Sequence, residues 1–530
     1  FQAEDGIRDV ERSRGLGDVY KRQLLLSPVA YILGRKYGTN VAMWFTFGLL
    51  LYCTILIINA TLGGTYEEHY PWTTMFGEFG FLLDGLAAPF AIIIYVLCTI
   101  LAIYSKPYMI HKFEHLFKEH YHQNADSTEG QTTAVIESSA LKTYINNQSG
   151  LYFAMFLVFS MGMLGTVLST NLIEFYIFFE VMLIPSFFLI AWYGDGARRR
   201  IALMFFFWTH VGAVVLLLGF LAIGLSVGSF DFADIVEAEI PQDVVVISAV
   251  AILLGLGVKL AAFIFHIWLP YAHGAAPTPI SALLSPAMIG IGAYGVFRLI
   301  IEFLPQTYAD LSIVLTIWGV ATMFYGGAMA LMQDDFKRLL AYSSISQMGY
   351  LLFGLGSLSA YGLAGTEMMY ISHALGKGLL FMTAGILIVN VGTRSISKLG
   401  GLAGKMPITA VCAVIGALTI MGVPPTSGFM GEWMLFYGAL ETAIEEGNDL
   451  RSVMFALGLV ATVLTMSYML WMLKRVFFGK LPENLSNVKD GSWYMLAPMM
   501  VLAGFTMVVG IYPDIFLSQI MPYMQGVLGV

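Results

Sequence analysis

The stretch LLGLGVKLAAFIFHIWLPYAHGAAPTPISALLSP, residues 253–286, is almost entirely apolar, yet it contains Lys259 and, seven residues later, His266. Seven residues are about two turns of a regular helix, so both side chains would share one face. Helix breakers follow at Pro270, Gly274, Pro277 and Pro279. Because charged side chains and irregular backbone are costly in lipid, the stretch predicts a discontinuous membrane helix that faces a polar interior. The alternative is a lysine that snorkels to the interface beside a packed histidine.

The composition of the whole chain agrees with a membrane location. Of the 530 residues, 58% are hydrophobic and only 12% are charged, whereas soluble proteins carry about 25% charged residues. So few charges cannot cover the surfaces of several soluble domains. We therefore predict an all-α, polytopic membrane protein. The net charge of −8, without a basic stripe, argues against nucleic acid as a partner.

The sequence shows no signature of a bound cofactor. Cys53, Cys98 and Cys412 lie far apart in apolar runs, so they form neither an iron–sulfur nor a zinc spacing. No glycine-rich phosphate loop is evident. The segment HKFEHLFKEHYH, residues 111–122, contains four histidines. We interpret it as a solvated or interfacial amphipathic segment, with a metal site as the alternative, and predict no metal and no cofactor on this chain.

Apolar runs and their polar breaks predict about fourteen membrane spans. The expected limits are 24–34, 41–62, 82–104, 150–168, 171–193, 201–228, 244–268, 280–301, 311–332, 338–356, 363–392, 407–439, 452–474 and 493–517. The longest connection between spans is expected over residues 105–149.

The connections between the spans alternate in charge. One side carries Arg35, Lys36, Lys106, Lys112, Lys118, Arg198, Arg199, Arg200, Lys337, Arg338, Arg394, Lys398, Lys405, Lys474, Arg475 and Lys480. The other side carries Glu67, Glu68, Glu78, Asp231, Asp234, Glu237, Glu239, Asp243, Glu441, Glu445, Glu446 and Asp449. Because positive charge marks the cytoplasmic side, the pattern predicts both termini on the outer side of a prokaryotic plasma membrane.

The first 23 residues differ from the rest, because they carry ten charges and no apolar run. They resemble the translated adaptor scar of an assembled sequence, so we exclude them from the fold. A genuine charged extension is the alternative. The remaining divisions are expected at 24–148 for three helices and a long cytoplasmic loop, 149–301 and 311–478 for two half-channel repeats, and 493–530 for a terminal helix and tail.

Two further spans hold charged side chains. Glu180 lies within FYIFFEVMLIPSFFLIAWYG, five residues before Pro185, in a run that is otherwise nearly all apolar. His373 and Lys377 lie within MMYISHALGKGLLFMTAG, four residues apart and so on one helical face. An intramembrane ionisable residue is by default a candidate for function. The alternatives are a bystander carboxylate at Glu180 and a snorkelling lysine at Lys377.

The twelfth span repeats the features of the seventh. In TIMGVPPTSGFMGEWMLFYG, the pair Pro424-Pro425 breaks the helix and Glu432 follows the break. Spans four to eight and nine to thirteen can be placed side by side, and the fourth member of each set is the broken one. Two five-span units in series begin on opposite sides of the membrane, so the repeats are expected to be inverted. Paired broken helices point to a transport site at mid-membrane.

Five segments together resemble a known family. They are HIWLPYAHGAAPTPISALLSP, FFEVMLIPSFFLI, DDFKRLLAYSSISQMGY, SHALGKGLLF and GVPPTSGFMGEW. The chain, from Leu24 to its end, resembles the proton-conducting, antiporter-like subunits of respiratory complex I and of Mrp antiporters. Glu432 makes it most similar to the subunit M or chain 4 type, since subunits L and N and the Mrp D-type subunit carry lysine there. The resemblance assigns Glu180 and Lys259 to the carboxylate–lysine pair of the first half-channel and Glu432 to the terminal carboxylate of the second.

The chain departs from the bacterial subunit M pattern at three positions. Gly290 stands where the eighth span usually has lysine, and Gln347 stands where histidine is common. Lys377 instead matches the L-type and Mrp-type subunits. These departures make Lys377 with His373 the best candidate for the bridging base in the middle of the proton route. With these three residues the chain also resembles the subunits of archaeal complex I-like enzymes that accept electrons from a reduced deazaflavin.

The resemblance further implies the assembly and the chemistry. Proton transfer would use Glu180, Lys259, Lys377 and Glu432, with His266 and His373 as relays. The chain would be a translocase subunit without a redox centre, while quinone, flavin and iron–sulfur clusters would belong to partner subunits. The implied partners are L-, N-, K-, J-, A- and H-type membrane-arm subunits and the lipid bilayer. Alternatives are a subunit of an Mrp-type Na⁺(K⁺)/H⁺ antiporter and a non-conducting scaffold.

Overall fold

The computed structural model describes residues 15–124 and 132–530. The described part is mostly helical, and 11 of its helices are long and apolar enough to cross a membrane. The prediction of a polytopic helical membrane protein is therefore confirmed. The chain divides into two compact units, of which the first ends at Leu189. The division lies inside α6, Leu183–Tyr193.

The first unit contains most of the elements before that division. They are α1 Leu16–Tyr37, α2 Thr39–Leu62, β1 Tyr66–Thr73, β2 Gly77–Leu83, α3 Ala87–Asn124, α4 Thr132–Leu168 and α5 Leu172–Val181.

Helix α1 begins at Leu16, eight residues before the first expected span. Tyr20 stacks on Phe81 with ring centroids 4.4 Å apart. Gln23 is buried and accepts a hydrogen bond of 2.5 Å from the hydroxyl of Tyr95. Residues 16–23 therefore form the start of α1. That the first 23 residues are a translated scar stays a prediction, and those before residue 15 lie outside the described residues. The charged segment can be helical because its apolar side chains pack inward.

The all-α prediction misses a β-hairpin. Strands β1 and β2 pair antiparallel in the connection after α2. Both strands are rich in aromatic side chains, which favour a pleated, half-buried surface. Glu68 of β1 accepts a hydrogen bond of 2.9 Å from the backbone nitrogen of Gly17, so the hairpin also secures the start of α1.

Much of the connection expected over residues 105–149 is helical, and its place outside the membrane stays a prediction. Helix α3 continues to Asn124, and α4 begins at Thr132. The amphipathic histidine segment continues α3, where His115 lies 3.4 Å from Glu119, one turn away. The side chains of His120 and His122 lie outside the described residues.

The second unit contains the remaining elements. They are α7 Arg198–Val227, α8 Phe232–Glu237, α9 Gln242–Lys259, α10 Trp268–Ala275, α11 Thr278–Leu283, α12 Ile289–Val296, α13 Pro305–Leu331, α14 Phe336–Leu355, α15 Ala360–Ile386, α16 Pro407–Ile420, α17 Ser427–Glu445, α18 Asp449–Val476, α19 Trp493–Ile511 and α20 Asp514–Leu528. Single π-helical turns adjoin α11, α12 and α15 at Leu284–Met288, Phe297–Ile301 and Leu387–Val391.

The basic connections of the second unit meet at one end of it. Arg394 forms ion pairs with Asp335 at 2.6 Å and with Asp195 at 3.5 Å. Slight burial acts to raise the pKa of Asp334, but hydrogen bonds from Ser395 and Ser397 outweigh it and hold that pKa below its usual value. We call this the basic end.

The acidic connections of the second unit meet elsewhere. Arg451 pairs with Glu446 at 2.6 Å and donates to the carbonyl of Gly356 at 2.9 Å. Glu441 accepts a hydrogen bond of 2.5 Å from Ser359. We call this the acidic end. The basic connection that contains Arg394 and the acidic connection over residues 441–449 thus contact different parts of the second unit.

Candidate functional site

Glu180 is the one predicted site residue in the first unit. It is the penultimate residue of α5, and its side chain is only partly exposed. A one-residue interruption at Met182 separates α5 from α6. Pro185 falls in the first turn of α6, where its missing N–H removes no helical hydrogen bond. The carboxylate therefore lies at a junction between two helices within one span.

Lys259 is the last residue of α9, and its side chain is 1% exposed. The next eight residues are not α-helical, and Ala261 and Ile264 have positive φ angles of 54° and 83°. Left-handed backbone costs a non-glycine residue roughly 1–2 kcal/mol, and the cost is higher for a β-branched one. Such strain persists only where the surroundings impose it, and it is often found at functional sites.

Aromatic and hydroxyl side chains hold the irregular backbone after Lys259. The hydroxyl of Thr322 accepts a hydrogen bond of 3.1 Å from the backbone nitrogen of Phe263. Trp318 donates to the carbonyl of Phe263 at 2.9 Å, and Trp268 donates to the carbonyl of Val258 at 3.0 Å. These contacts satisfy backbone groups that would be costly to leave unpaired in lipid.

The position of this break differs from the prediction. Pro270 and Gly274 lie inside α10, and the main break precedes them. Pro270 is the third residue of α10, in a turn where backbone N–H groups have no helical acceptor, so it is tolerated. His266 therefore does not continue the helical face of Lys259. Its ring packs instead on Tyr325, with centroids 4.3 Å apart.

Lys377 is fully buried in the continuous helix α15. Its ammonium donates to the carbonyl of Leu340 at 3.1 Å and to the hydroxyl of Ser343, both on α14. The side chain is thus held among helices and does not reach the interface. His373, one turn earlier, lies 3.4 Å from the carbonyl of Ser285. The two residues share a helical face, as their spacing predicts.

Glu432 follows a second break, as the sequence predicts. Helix α16 ends at Ile420, and α17 begins at Ser427. Gly422, in this break, has a φ of 65°, and a Cβ added there would lie 1.9 Å from a carboxylate oxygen of Glu432. Only glycine leaves room for the carboxylate and adopts this backbone conformation without strain.

The last span secures both sides of the second break. The hydroxyl of Thr506 on α19 lies 3.2 Å from that of Thr419 and 2.8 Å from that of Ser427. A Cβ on Gly510 would lie 2.1 Å from the carbonyl oxygen of Pro425, so the two backbones are in direct contact. Gln347 also reaches the break, since its amide lies 3.4 Å from the carbonyl of Ile420.

Replacing Gly422 with alanine is expected to impair the site around Glu432. The methyl group would displace the carboxylate, and the left-handed backbone would add roughly 1–2 kcal/mol of strain. We expect a clear fall in proton translocation by the assembled complex, measured in proteoliposomes. Gly504→Ala is the control, because a Cβ there meets no atom within 4 Å. Equal rates of proton translocation in the two variants would contradict a close contact between Gly422 and the Glu432 carboxylate.

Sequence reasoning missed several buried ionisable residues, three of which lie on α10, α14 and α15. Lys337, treated as a loop charge, is fully buried in the first turn of α14 and donates to the carbonyl of Ala276. His273 of α10 is also fully buried, with its ring on Phe381. Glu367 is fully buried in α15. Glu367 could have been found from the sequence, because it is a charged residue in the same apolar run as His373.

The structure explains how glycine fits at residue 290. A Cβ on Gly290 would lie 2.1 Å from the ring of Tyr370, so that ring fills the space beside the eighth span. The ring belongs to α15, one turn before His373. The space beside residue 290, which a side chain on the eighth span would occupy, is therefore filled by a side chain of α15.

Among residues 15–124 and 132–530, no group of three or more His, Cys, Asp or Glu side chains is placed to hold a metal ion. The absence of a cofactor on this chain remains a prediction.

Comparison with known proteins decides the family. The family described as NADH:quinone oxidoreductase/Mrp antiporter, transmembrane, matches residues 169–445. This match covers more than half of the chain and includes every predicted site residue. The chain belongs to this family. The resemblance inferred from the sequence is therefore confirmed, and the chain is an integral, multi-pass member of the NADH:quinone oxidoreductase/Mrp antiporter family.

Members from two branches of the family are similar to this chain. F(420)H(2) dehydrogenase subunit M of Methanosarcina mazei is 31% identical over 393 residues, covering 72% of this chain and 77% of that protein. A Na(+)/H(+) antiporter subunit of Alkalihalophilus pseudofirmus is 32% identical over 539 residues, covering 95% of this chain and 62% of that protein. A chain of respiratory complex I from Thermus thermophilus shares the fold, with a TM-score of 0.80 at 23% identity over 96% of this chain and 99% of that chain.

Proposed function

We propose that this protein is the M-type proton-translocating membrane-arm subunit of a complex I-like oxidoreductase. Electron transfer in other subunits would drive proton movement through it. The observation that carries the proposal is the placement of ionisable side chains at helix breaks, where Lys259 is buried and Glu432 is half-buried. Lys259 ends α9 at one break, and Glu432 lies against Gly422 of the other. Charge in such positions is costly and typical of ion pathways.

The proposed topology has fourteen spans in two inverted five-span repeats, over residues 149–301 and 311–478. Three expected spans lie outside the set of 11 long apolar helices. They are α1, which carries five charges, α14, which is rich in serine and basic at its start, and the broken pair α16 and α17. The alternation of basic and acidic connections supports counting all three. Both termini would lie on the outer side of a prokaryotic plasma membrane.

The proposed mechanism uses the opposing effects of burial and charge on a lysine. Burial favours the neutral amine of Lys259, whereas a nearby carboxylate favours its protonated form. When Glu180 approaches, Lys259 would hold a proton. When the pair separates, the proton would pass along His266, Lys377 and His373 toward Glu432. Protons would be taken up at the basic end and released at the acidic end.

The proposal includes an assembly. Electron donation by NADH, a reduced deazaflavin or ferredoxin, and reduction of a quinone, would take place on partner subunits that hold the flavin and iron–sulfur clusters. The chain itself would carry no redox centre. Its membrane neighbours would be the other membrane-arm subunits. Support comes from the similarity to F(420)H(2) dehydrogenase subunit M and to a chain of respiratory complex I.

A proteoliposome experiment on the native complex tests this function. Donor oxidation is started, and proton movement is followed with a pH-sensitive dye, with and without a protonophore. We expect protonophore-sensitive acidification of the compartment facing the acidic end, in sodium-free buffer. Electron transfer without proton movement, in vesicles shown to be tight, would contradict the proposal.

An Mrp-type Na⁺(K⁺)/H⁺ antiporter subunit is the second candidate. The similarity to the Na(+)/H(+) antiporter protein of Alkalihalophilus pseudofirmus over 95% of this chain favours it. The carboxylate at residue 432, where the family resemblance gives lysine to the Mrp D-type subunit, argues against it. In the same vesicles, a sodium gradient imposed without an electron donor distinguishes the two. Sodium-driven proton exchange would support the antiporter, and its absence beside donor-driven pumping would support the M-type function. Movement of neither ion would favour a scaffold.

A further inference from the structure

Glu367 is a buried carboxylate that the proposed route does not use. It lies eight residues into α15, and its side chain is fully buried. The preceding residue, Thr366, packs against α14, since a Cβ on Gly354 would lie 2.0 Å from its hydroxyl. An acidic side chain inside a membrane span is expensive and calls for a functional explanation.

Glu367 belongs to a row of polar side chains on α15. Tyr370 lies three residues after it, His373 three further on, and Lys377 four further on. Residues three or four apart are neighbours on a helix surface. With a rise of 1.5 Å per residue, successive Cα atoms of this row are separated along the axis by about 4.5, 4.5 and 6 Å. Side chains and a bridging water can span such intervals.

One end of this row lies near the middle of α15, and the other end lies closer to the acidic end of the second unit. Lys377 lies near the middle of α15 and contacts α14 through Leu340 and Ser343. Helix α15 begins at Ala360, immediately after Ser359, which is bonded to Glu441 at the acidic end. The row therefore leads from the buried lysine toward the acidic end, with Glu367 as its outermost member.

Glu367 lies at the depth of Glu432 but on a different face of α15. A Cβ on Gly365 would lie 2.3 Å from the backbone nitrogen of Leu435, and a Cβ on Gly431 would lie 2.7 Å from that of Met369. Helices α15 and α17 thus run antiparallel in backbone contact, which sets residues 367 and 432 at nearly equal heights. Residue 367 is two positions from Gly365, about 200° around the helix, and so points away from α17.

We propose that Glu367 is a proton-release residue, reached from Lys377 along His373 and Tyr370 and separate from Glu432. The ammonium of Lys377 would lose one proton and become an amine. The Tyr370 hydroxyl would accept that proton, by way of His373, while giving its own to the carboxylate of Glu367. The resulting carboxylic acid would release the proton at the acidic end and become a carboxylate again. This inference rests on the proposed function in proton translocation.

The test is Glu367→Gln in the assembled complex, reconstituted in proteoliposomes. Glutamine keeps the size and polarity but cannot carry a proton. We expect normal assembly, continuing electron transfer and a fall of roughly 10²-fold in proton release through this subunit, typical of losing a proton-transfer group. The matched control is Glu441→Gln, which removes a partly buried carboxylate bonded to Ser359 at the same end. It is expected to translocate protons like the wild type.

A second variant and a second readout keep the test decisive. Glu367→Asp retains the carboxylate and is expected to restore most of the translocation. If the glutamine variant does not assemble, the test is the infrared band of a protonated carboxyl group, which Glu367→Asp should shift if the band belongs to residue 367 and leave unchanged if it does not. Redox-triggered infrared difference spectra should show a protonated-carboxyl band that Glu367→Gln removes. Unchanged proton release in Glu367→Gln, while Glu180→Gln abolishes it, would overturn this inference and leave the proposed function intact. Unchanged release in both variants would overturn both.

Discussion

Replacing Lys259 with alanine is expected to abolish coupled proton translocation by the assembled complex. Lys259 ends α9 at a strained break, and its side chain is 1% exposed. Alanine cannot take up a proton there. The protonated lysine, from which the proposed route passes a proton to His266, would therefore not form. The measurement is the ratio of protons translocated to electrons transferred in proteoliposomes. We expect that ratio to fall to the level left by other pumping subunits of the complex.

The control for this variant is Lys398→Ala. Lys398 is an exposed lysine in the connection after α15, so its loss should leave the proton-to-electron ratio at the wild-type value. Amounts of assembled complex should be compared in all three preparations, because a buried side chain is removed in one of them. A Lys259→Ala complex that assembles fully and pumps with the wild-type ratio would contradict the account.

Replacing Lys377 with alanine is expected to have the second largest effect. The ammonium is fully buried and is bonded to Leu340 and Ser343 of α14. With Gly290 in place of a side chain on the eighth span, Lys377 is the central basic group of the second unit in the proposed route. Loss of a group that carries protons typically slows transfer by 10²-fold or more. We expect proton translocation to fall severely while electron transfer persists.

The comparison for Lys377 is an exposed histidine of α3. His115→Ala removes a side chain that contacts Glu119 at 3.4 Å on the surface, and it should leave translocation unchanged. Equal effects of Lys377→Ala and His115→Ala would favour a lysine with no part in proton transfer. The two variants therefore separate a relay role from a general effect of changing charge.

Much of the fold could be predicted because lipid imposes strict rules on a sequence. Runs of apolar residues predicted the limits of most of the long apolar helices to within a few residues, as at Thr39–Leu62 and Arg198–Val227. Pro424-Pro425 predicted the second break correctly, because a double proline cannot continue a helix. The spacing of His373 and Lys377 predicted a shared face correctly, because α15 is regular there.

Other features depend on contacts that no local pattern reveals. The first break precedes Pro270 because Thr322 and Trp318, far away in sequence, hold the backbone of Phe263. The hairpin Tyr66–Leu83 lies in a short polar connection, where aromatic residues carry only a weak strand signal. Lys337 looked like a loop charge because its neighbour is Arg338, but its burial follows from its contact with Ala276.

The central claim is that protons cross the membrane through ionisable groups of this chain, beginning at the carboxylate of Glu180. The most direct test is the proton-to-electron ratio of the assembled complex carrying Glu180→Gln, which keeps the side-chain size and removes the charge. We expect donor oxidation to continue while proton translocation through this subunit is largely lost. A fully assembled Glu180→Gln complex with the wild-type ratio would contradict it.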